Sequence, residues 1–165
     1  MDAALTHLDP AGRAAMVDVS DKQATARFAR ARAVVRMSPE AAARVQAGDN
    51  PKGDVVAVAR IAGIMGAKRV PDLVPLCHPI ALHGVTVDVT LADDAVVLTA
   101  VCRTADRTGV EMEALTAVVV AALAVVDMVK AVDPAAVITD VRVLEKTGGA
   151  HGDWHRDDPV ATPPS

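Results

Sequence analysis

Tyrosine is absent from this 165-residue chain, and phenylalanine and tryptophan occur once each, as Phe28 and Trp154. So few aromatic rings give a nucleic-acid base almost nothing to stack on, and an RNA-recognition module needs such rings on its central strands. Cysteine is nearly as scarce: Cys77 and Cys102 form no CxxC pair and no disulfide framework, which fits a reducing, cytoplasmic compartment. No charged segment followed by an apolar run opens the chain, so a signal peptide is not expected. The longest apolar run, Ala114 to Val126, has about 13 residues against the roughly 20 that span a bilayer, and is read as a buried helix. Excess positive charge is missing as well: a formal net charge of −4 argues against sequence-independent binding to nucleic acid or to anionic membrane.

What remains is a globular chain of one-domain length, with a core that must be built from Ala, Val, Leu, Ile and Met. Residues 1–15 lack periodicity and are expected to form a flexible arm, with a catalytic domain at 16–150 and a disordered tail at 151–165. Residues 24–37 alternate early on between small apolar residues and arginines, which predicts a strand with one solvated face. Ser38-Pro39-Glu40 resembles a helix N-cap, and that helix should end at Gly48. A second helix follows from Gly53, and the proline-rich stretch 70–80 reads as a loop of fixed shape. Strands at 85–91 and 95–103 flank a turn at 92–94. Thr108 and Glu111 have capping-box spacing before a long helix to about Val132. A last strand runs from 137 to 146. The order strand, helix pair, strand, strand, helix, strand predicts an α+β, ferredoxin-like split βαβ fold, with helices packed on one face of an antiparallel sheet.

Several residue groups have the chemistry of a site. Arginine outnumbers lysine 12 to 5, so a retained lysine can mark a place where the cation must be able to shed its proton, which arginine effectively cannot do. Lys52-Gly53-Asp54 stands at a helix entrance suited to an anion, or Asp54 simply caps the helix beside a solvated Lys52. Leu76-Cys77-His78-Pro79 fixes the direction of an imidazole able to bind phosphate or donate a proton; alternatively His78 only hydrogen-bonds its own surroundings. Cys77 has no partner at zinc spacing and no local base, so neither metal binding nor a nucleophile is expected there. Lys68-Arg69 offers two cations to a polyanion, or complements a helix dipole. Asp127 and Lys130, three apart on the long helix, form either a structural ion pair or an acid–base couple. Glu111 is read as a cap. Glu113 lies about 21 Å along the helix from Asp127, so one small substrate cannot touch both within a single subunit. If both serve one pocket, that pocket lies between protomers.

The segments KGDVVAVARIAGIMGAKR, LVPLCHP, TGVEMEALTA, DMVKAV and EKTGG, in this order from about Leu5 to Gly152, resemble the MoaC family of molybdenum cofactor biosynthesis. The resemblance implies a ferredoxin-like subunit in a homohexamer, a trimer of dimers with sites at dimer interfaces. It also implies a cyclic pyranopterin monophosphate synthase, a phosphorus–oxygen lyase. Such an enzyme converts 3′,8-cyclo-7,8-dihydroguanosine 5′-triphosphate, supplied by the radical SAM protein MoaA, to cyclic pyranopterin monophosphate and pyrophosphate. Motif matches carry catalytic roles onto Asp127, Lys52 and Lys130, and substrate binding onto Leu76, Cys77, His78, Met112 and Glu113. Lys68, Arg69 and His78 are then expected to neutralise the triphosphate. No resident cofactor or metal is called for, although Mg2+ could accompany the triphosphate or pyrophosphate. Ala15 before MVDVS and the acidic tail beyond Trp154 depart from the family pattern. The rival classes, an RNA-binding module and a non-catalytic ligand-sensing domain, share the fold, and fold alone does not separate them.

Overall fold

The computed structural model describes residues 8–9, 11–149 and 152–157. In chain order these form β1 (Thr25–Arg36), α1 (Pro39–Ala47), α2 (Val55–Ala67), α3 (Val70–Leu73), β2 (Leu82–Ala92), β3 (Ala95–Asp106), α4 (Glu111–Val129), β4 (Val137–Thr147) and β5 (Trp154–His155). One antiparallel sheet has the order β2-β3-β1-β4-β5. Without β5 this is the split βαβ arrangement expected from the sequence, and the α+β, ferredoxin-like class holds.

The alternation in β1 decides which way the sheet faces. Ala29, Ala31, Ala33 and Val35 are fully buried with Ala114, Ala117, Val118 and Ala121 of α4, while Arg30 and Arg32 occupy the other face. Small side chains on both surfaces let the helix approach the sheet closely, so the core reaches native density without aromatics. Gly63 and Gly66 of α2 do the same for the α2–α4 contact, where a Cβ on Gly63 would stand 2.8 Å from the Ala117 carbonyl oxygen. Each valine buried here, such as Val118 and Val125, contributes roughly 1.5–3 kcal/mol. By length and composition α4 could cross a membrane, but its buried stretch is the central helix of this core.

Local signals explain most element ends. Ser38 Oγ accepts from the Ala41 amide and Gly48 closes α1 in the left-handed conformation. Asp133 gathers the amides of Ser38 and Ala135, tying the end of β1 to the turn before β4. Three expectations need correction. Residues 70–73 form a helical turn rather than loop, since Pro71 falls in the first turn where no amide is needed. The capping box at Thr108 is not made: α4 begins after Val110 with no side-chain cap, because Glu111 turns to Lys146 on β4, 3.0 Å away. The same helix stops at Val129, three residues short of the expected Val132.

Of the expected arm, 8–9 and 11–15 are described, and Leu8 bridges Ala14; residues 1–7 and 10 lie outside the described set. Of the expected tail, Trp154 and His155 pair with Lys146 and Glu145 to form β5, and residues 151 and 158–165 lie outside it.

Candidate active site

Lys52 reaches its position through a short turn. Its amide donates to Asn50 Oδ1, Gly53 donates to the Asn50 carbonyl, and Gly53 adopts φ +97°, where a Cβ would be strained. Asp54 then caps α2 by accepting from Ala57 at 2.9 Å. Capping by Asp54 and use of Lys52 are therefore compatible. The turn aims Lys52 at the C-terminal end of the antiparallel neighbour α4, where its Nζ donates to the Asp127 carbonyl at 2.7 Å and to Asp127 Oδ2 at 2.8 Å. Lys130 Nζ, one turn further along α4, approaches Asp127 Oδ1 at 2.7 Å.

One carboxylate thus bridges two ammonium groups, one of them from a segment 75 residues before it in the chain. The hydrogen bonds from Lys130 and Lys52, followed by their charges, hold the Asp127 carboxyl down to about 2, so it remains anionic. The negative end of α4 also favours the two cations. The trio is exposed, so both ammonium groups are open to a ligand.

The other candidates collect at the opposite end of the same helix pair. Glu113, in the first turn of α4, is buried, and with Lys68, Pro71 and Ile80 it lines a cleft of about 310 Å3. Burial lifts its carboxyl to about 7; the nearby Glu111 charge adds to the rise and its own backbone amide opposes it. A carboxyl balanced near neutrality can hold or accept a proton at working pH. Cys77 is half-buried with its thiol raised by burial and then by the Glu113 charge, which keeps it protonated and poorly nucleophilic. Leu76 is half-buried on the same loop and Met112 is exposed beside Glu113. Arg69 is paired with Asp72 at 3.1 Å. His78 Nε2 lies 2.7 Å from the Val17 carbonyl oxygen. That partner comes from a segment whose only sequence signal is a short apolar alternation, so neither the histidine's loop nor any spacing reveals it.

The two groups do not meet within one protomer: Glu113 and Asp127 are separated by fourteen residues of continuous helix, about 21 Å at 1.5 Å per residue. Among the described residues no three His, Cys, Asp or Glu side chains cluster as metal ligands.

Residues 16–149, most of the chain and every element from β1 to β4, match the profile of the MoaC family. The chain belongs to the MoaC family. Named relatives carry that match over nearly the full length on both sides. The cyclic pyranopterin monophosphate synthase of Streptomyces coelicolor is 65% identical over 152 residues, covering 92% of this chain and 89% of the relative. The cyclic pyranopterin monophosphate synthase of Roseiflexus sp. is 57% identical, covering 93% and 98%. Cyclic pyranopterin monophosphate synthase 2 of Mycobacterium tuberculosis is 55% identical, covering 92% and 91%. The family assignment made from the motifs therefore holds, and the relatives' names favour an enzyme over an RNA-binding module or a non-catalytic ligand-sensing domain.

Proposed function

We propose that this chain is a cyclic pyranopterin monophosphate synthase of molybdenum cofactor biosynthesis. It acts as a phosphorus–oxygen lyase on 3′,8-cyclo-7,8-dihydroguanosine 5′-triphosphate. The observation that carries the reading is the pair of ammonium groups sharing the Asp127 carboxylate, because the reaction is dominated by proton movements between heteroatoms. Opening the guanine-derived ring and reclosing it as a pterin needs a proton delivered to one nitrogen and removed from another. Closing the cyclic phosphate needs more: a sugar-derived hydroxyl attacks the α-phosphorus, the bond to the bridging oxygen breaks, and pyrophosphate leaves while the hydroxyl proton goes to a base. Lys52 and Lys130 carry these protons, and Asp127 holds both lysines in reach. Lys68, Leu76, Cys77, His78, Met112 and Glu113 receive the substrate, with Arg69 adding positive charge nearby.

Since the trio and the Glu113 cleft stand at opposite ends of α4, a working site takes the trio from one copy of the chain and the receiving residues from another. A homohexamer built as a trimer of dimers provides such sites. Its substrate comes from a cyclising radical enzyme of the MoaA type, and any Mg2+ arrives with the phosphate chain. The free cysteines suit a reducing, cytoplasmic setting.

Incubation with the cyclised nucleotide should release pyrophosphate and yield a pterin-like fluorescence. Lys52→Met and Lys130→Arg should each reduce turnover by about 100-fold or more, within the usual range for a lost acid or base. Near-normal turnover in either correctly folded variant removes that lysine from the mechanism, and binding without turnover by the wild type overturns the reading.

A further inference from the structure

Residues 48–54 connect α1 to α2, and six of the seven are exposed. The exception is polar: Asn50 is 9% exposed. A buried amide side chain needs hydrogen-bond partners, and Asn50 uses its oxygen on its own chain, Oδ1 accepting from the Lys52 amide at 3.0 Å. Its carbonyl accepts from the Gly53 amide at 2.9 Å, which closes a four-residue turn with Pro51 and Lys52 at the two central positions. The Pro51 ring fixes its φ at about −65°, and the chain leaves the turn through Gly53 at φ +97°. The backbone is held on either side as well. The amides of Gly48 and Asp49 donate to the Val45 and Arg44 carbonyls at the end of α1, and Asp54 caps α2 through the Ala57 amide. Lys52 therefore projects from a fixed backbone, which limits what its flexible side chain must search before it meets a carboxylate on another helix.

We propose that Asn50 is a positioning residue for Lys52: its side-chain oxygen sets the turn that delivers the Lys52 ammonium group to Asp127, and it acts on the reaction only through that lysine. The proposal rests on the synthase reading for the reaction that Lys52 serves. The tolerances are narrow. Lys52 Nζ lies 2.7 Å from the Asp127 carbonyl oxygen and 2.8 Å from Oδ2, and moving a reacting group by about 1 Å can cost up to about 100-fold in rate. A turn free to sample several conformations would place the ammonium group correctly only part of the time, and the rate falls with that fraction. The side chains able to make such a turn are few: Asn and Asp reach the amide two residues on, Ser does so more weakly, and Ala has no acceptor to offer.

The test uses the full-length protein and the cyclised nucleoside triphosphate. Asn50→Ala should lower kcat by about tenfold and leave KM within about twofold, as expected when a group acting in the transition state is displaced and substrate binding is kept. Asn50→Asp should restore most of the rate and Asn50→Ser about half of the loss on a logarithmic scale. In a Lys52→Met background Asn50→Ala should change kcat by less than about twofold, because no ammonium group is left to position. A merely structural role would lower kcat by the same factor in both backgrounds. Should Asn50→Ala not fold, Asn50→Ser takes its place, and a loss confined to the background that retains Lys52 is the expected result. Wild-type kcat in Asn50→Ala, an equal loss in the Lys52→Met background, or an Asn50→Asp variant as slow as Asn50→Ala overturns the proposal. Trypsin gives a readout independent of turnover: under native conditions cleavage after Lys52 should be at least about tenfold faster in Asn50→Ala than in the wild type, with cleavage after Lys130 unchanged. Equal rates after Lys52, or an equal rise after both lysines, overturn the role of Asn50 in the turn. If the wild type lacks synthase activity, the synthase reading fails, while the cleavage ratio still decides whether Asn50 holds Lys52 in place.

Discussion

Glu113→Gln converts a buried titratable carboxyl into a neutral side chain of the same shape, and its effect on stability has a definite pH signature. Glu113 is 3% exposed, and burial lifts its carboxyl from 4.5 to about 7. The folded state therefore holds this proton more tightly than the unfolded chain does. The stability associated with it is complete below pH 4.5 and is lost as pH rises through about 7. At about 1.4 kcal/mol per tenfold change in proton affinity, the wild type should lose about 2.5 kcal/mol from this residue between pH 5 and pH 8. Glutamine has no proton to lose, so the variant should gain on the wild type by that amount over the same interval. Urea unfolding at fixed protein concentration, at half-unit steps across this range, measures the difference between the two profiles, and other titrating groups cancel in it. Parallel profiles would refute the reasoning, because they would mean that Glu113 ionises in the folded protein as easily as in water.

Asp127→Asn should cost about 100-fold or more in kcat, since both ammonium groups lose their common partner; near-normal turnover would remove the carboxylate from the mechanism. Because the two lysines depress the Asp127 carboxyl from 3.8 to about 2, the stability their contacts give is present above pH 3.8 and disappears as pH falls through 2. In an acid titration the stability difference between wild type and Asp127→Asn should hold above that window and close within it. Gly63→Ala should destabilise by about 1–3 kcal/mol in urea unfolding, the usual cost of forcing an atom into a close-packed contact. The new methyl would sit 2.8 Å from the Ala117 carbonyl, which is helix backbone and cannot swing aside. An unchanged midpoint would contradict the tight α2–α4 crossing.

Periodicity made the sheet and the long helix legible, because alternating alanine and arginine in β1 leaves one consistent choice of buried face. Start and stop chemistry set the bounds of α1: Ser38, Pro39 and Gly48 act locally, and no tertiary contact competes with them. Glu111 failed as a cap for the opposite reason, since Lys146, 35 residues away, offers a stronger partner that no local rule contains. Prolines misled in the 70–80 stretch because Pro71 sits where a helix tolerates it. At the site, the motifs brought Lys52, Asp127 and Lys130 into view, and the distance along α4 already separated them from Glu113. The Lys52–Asp127 contact needed the antiparallel packing of α2 on α4.

The claim that two copies of the chain complete each site is tested most directly by mixing two defective ones. Lys130→Arg disables the proton-carrying half and Lys68→Gln the receiving half. Equimolar co-expression of the two should restore about a quarter of wild-type specific activity, because random pairing gives a quarter of the sites two intact halves. A mixture no more active than the mean of the separate variants would place both halves in one protomer and contradict the account.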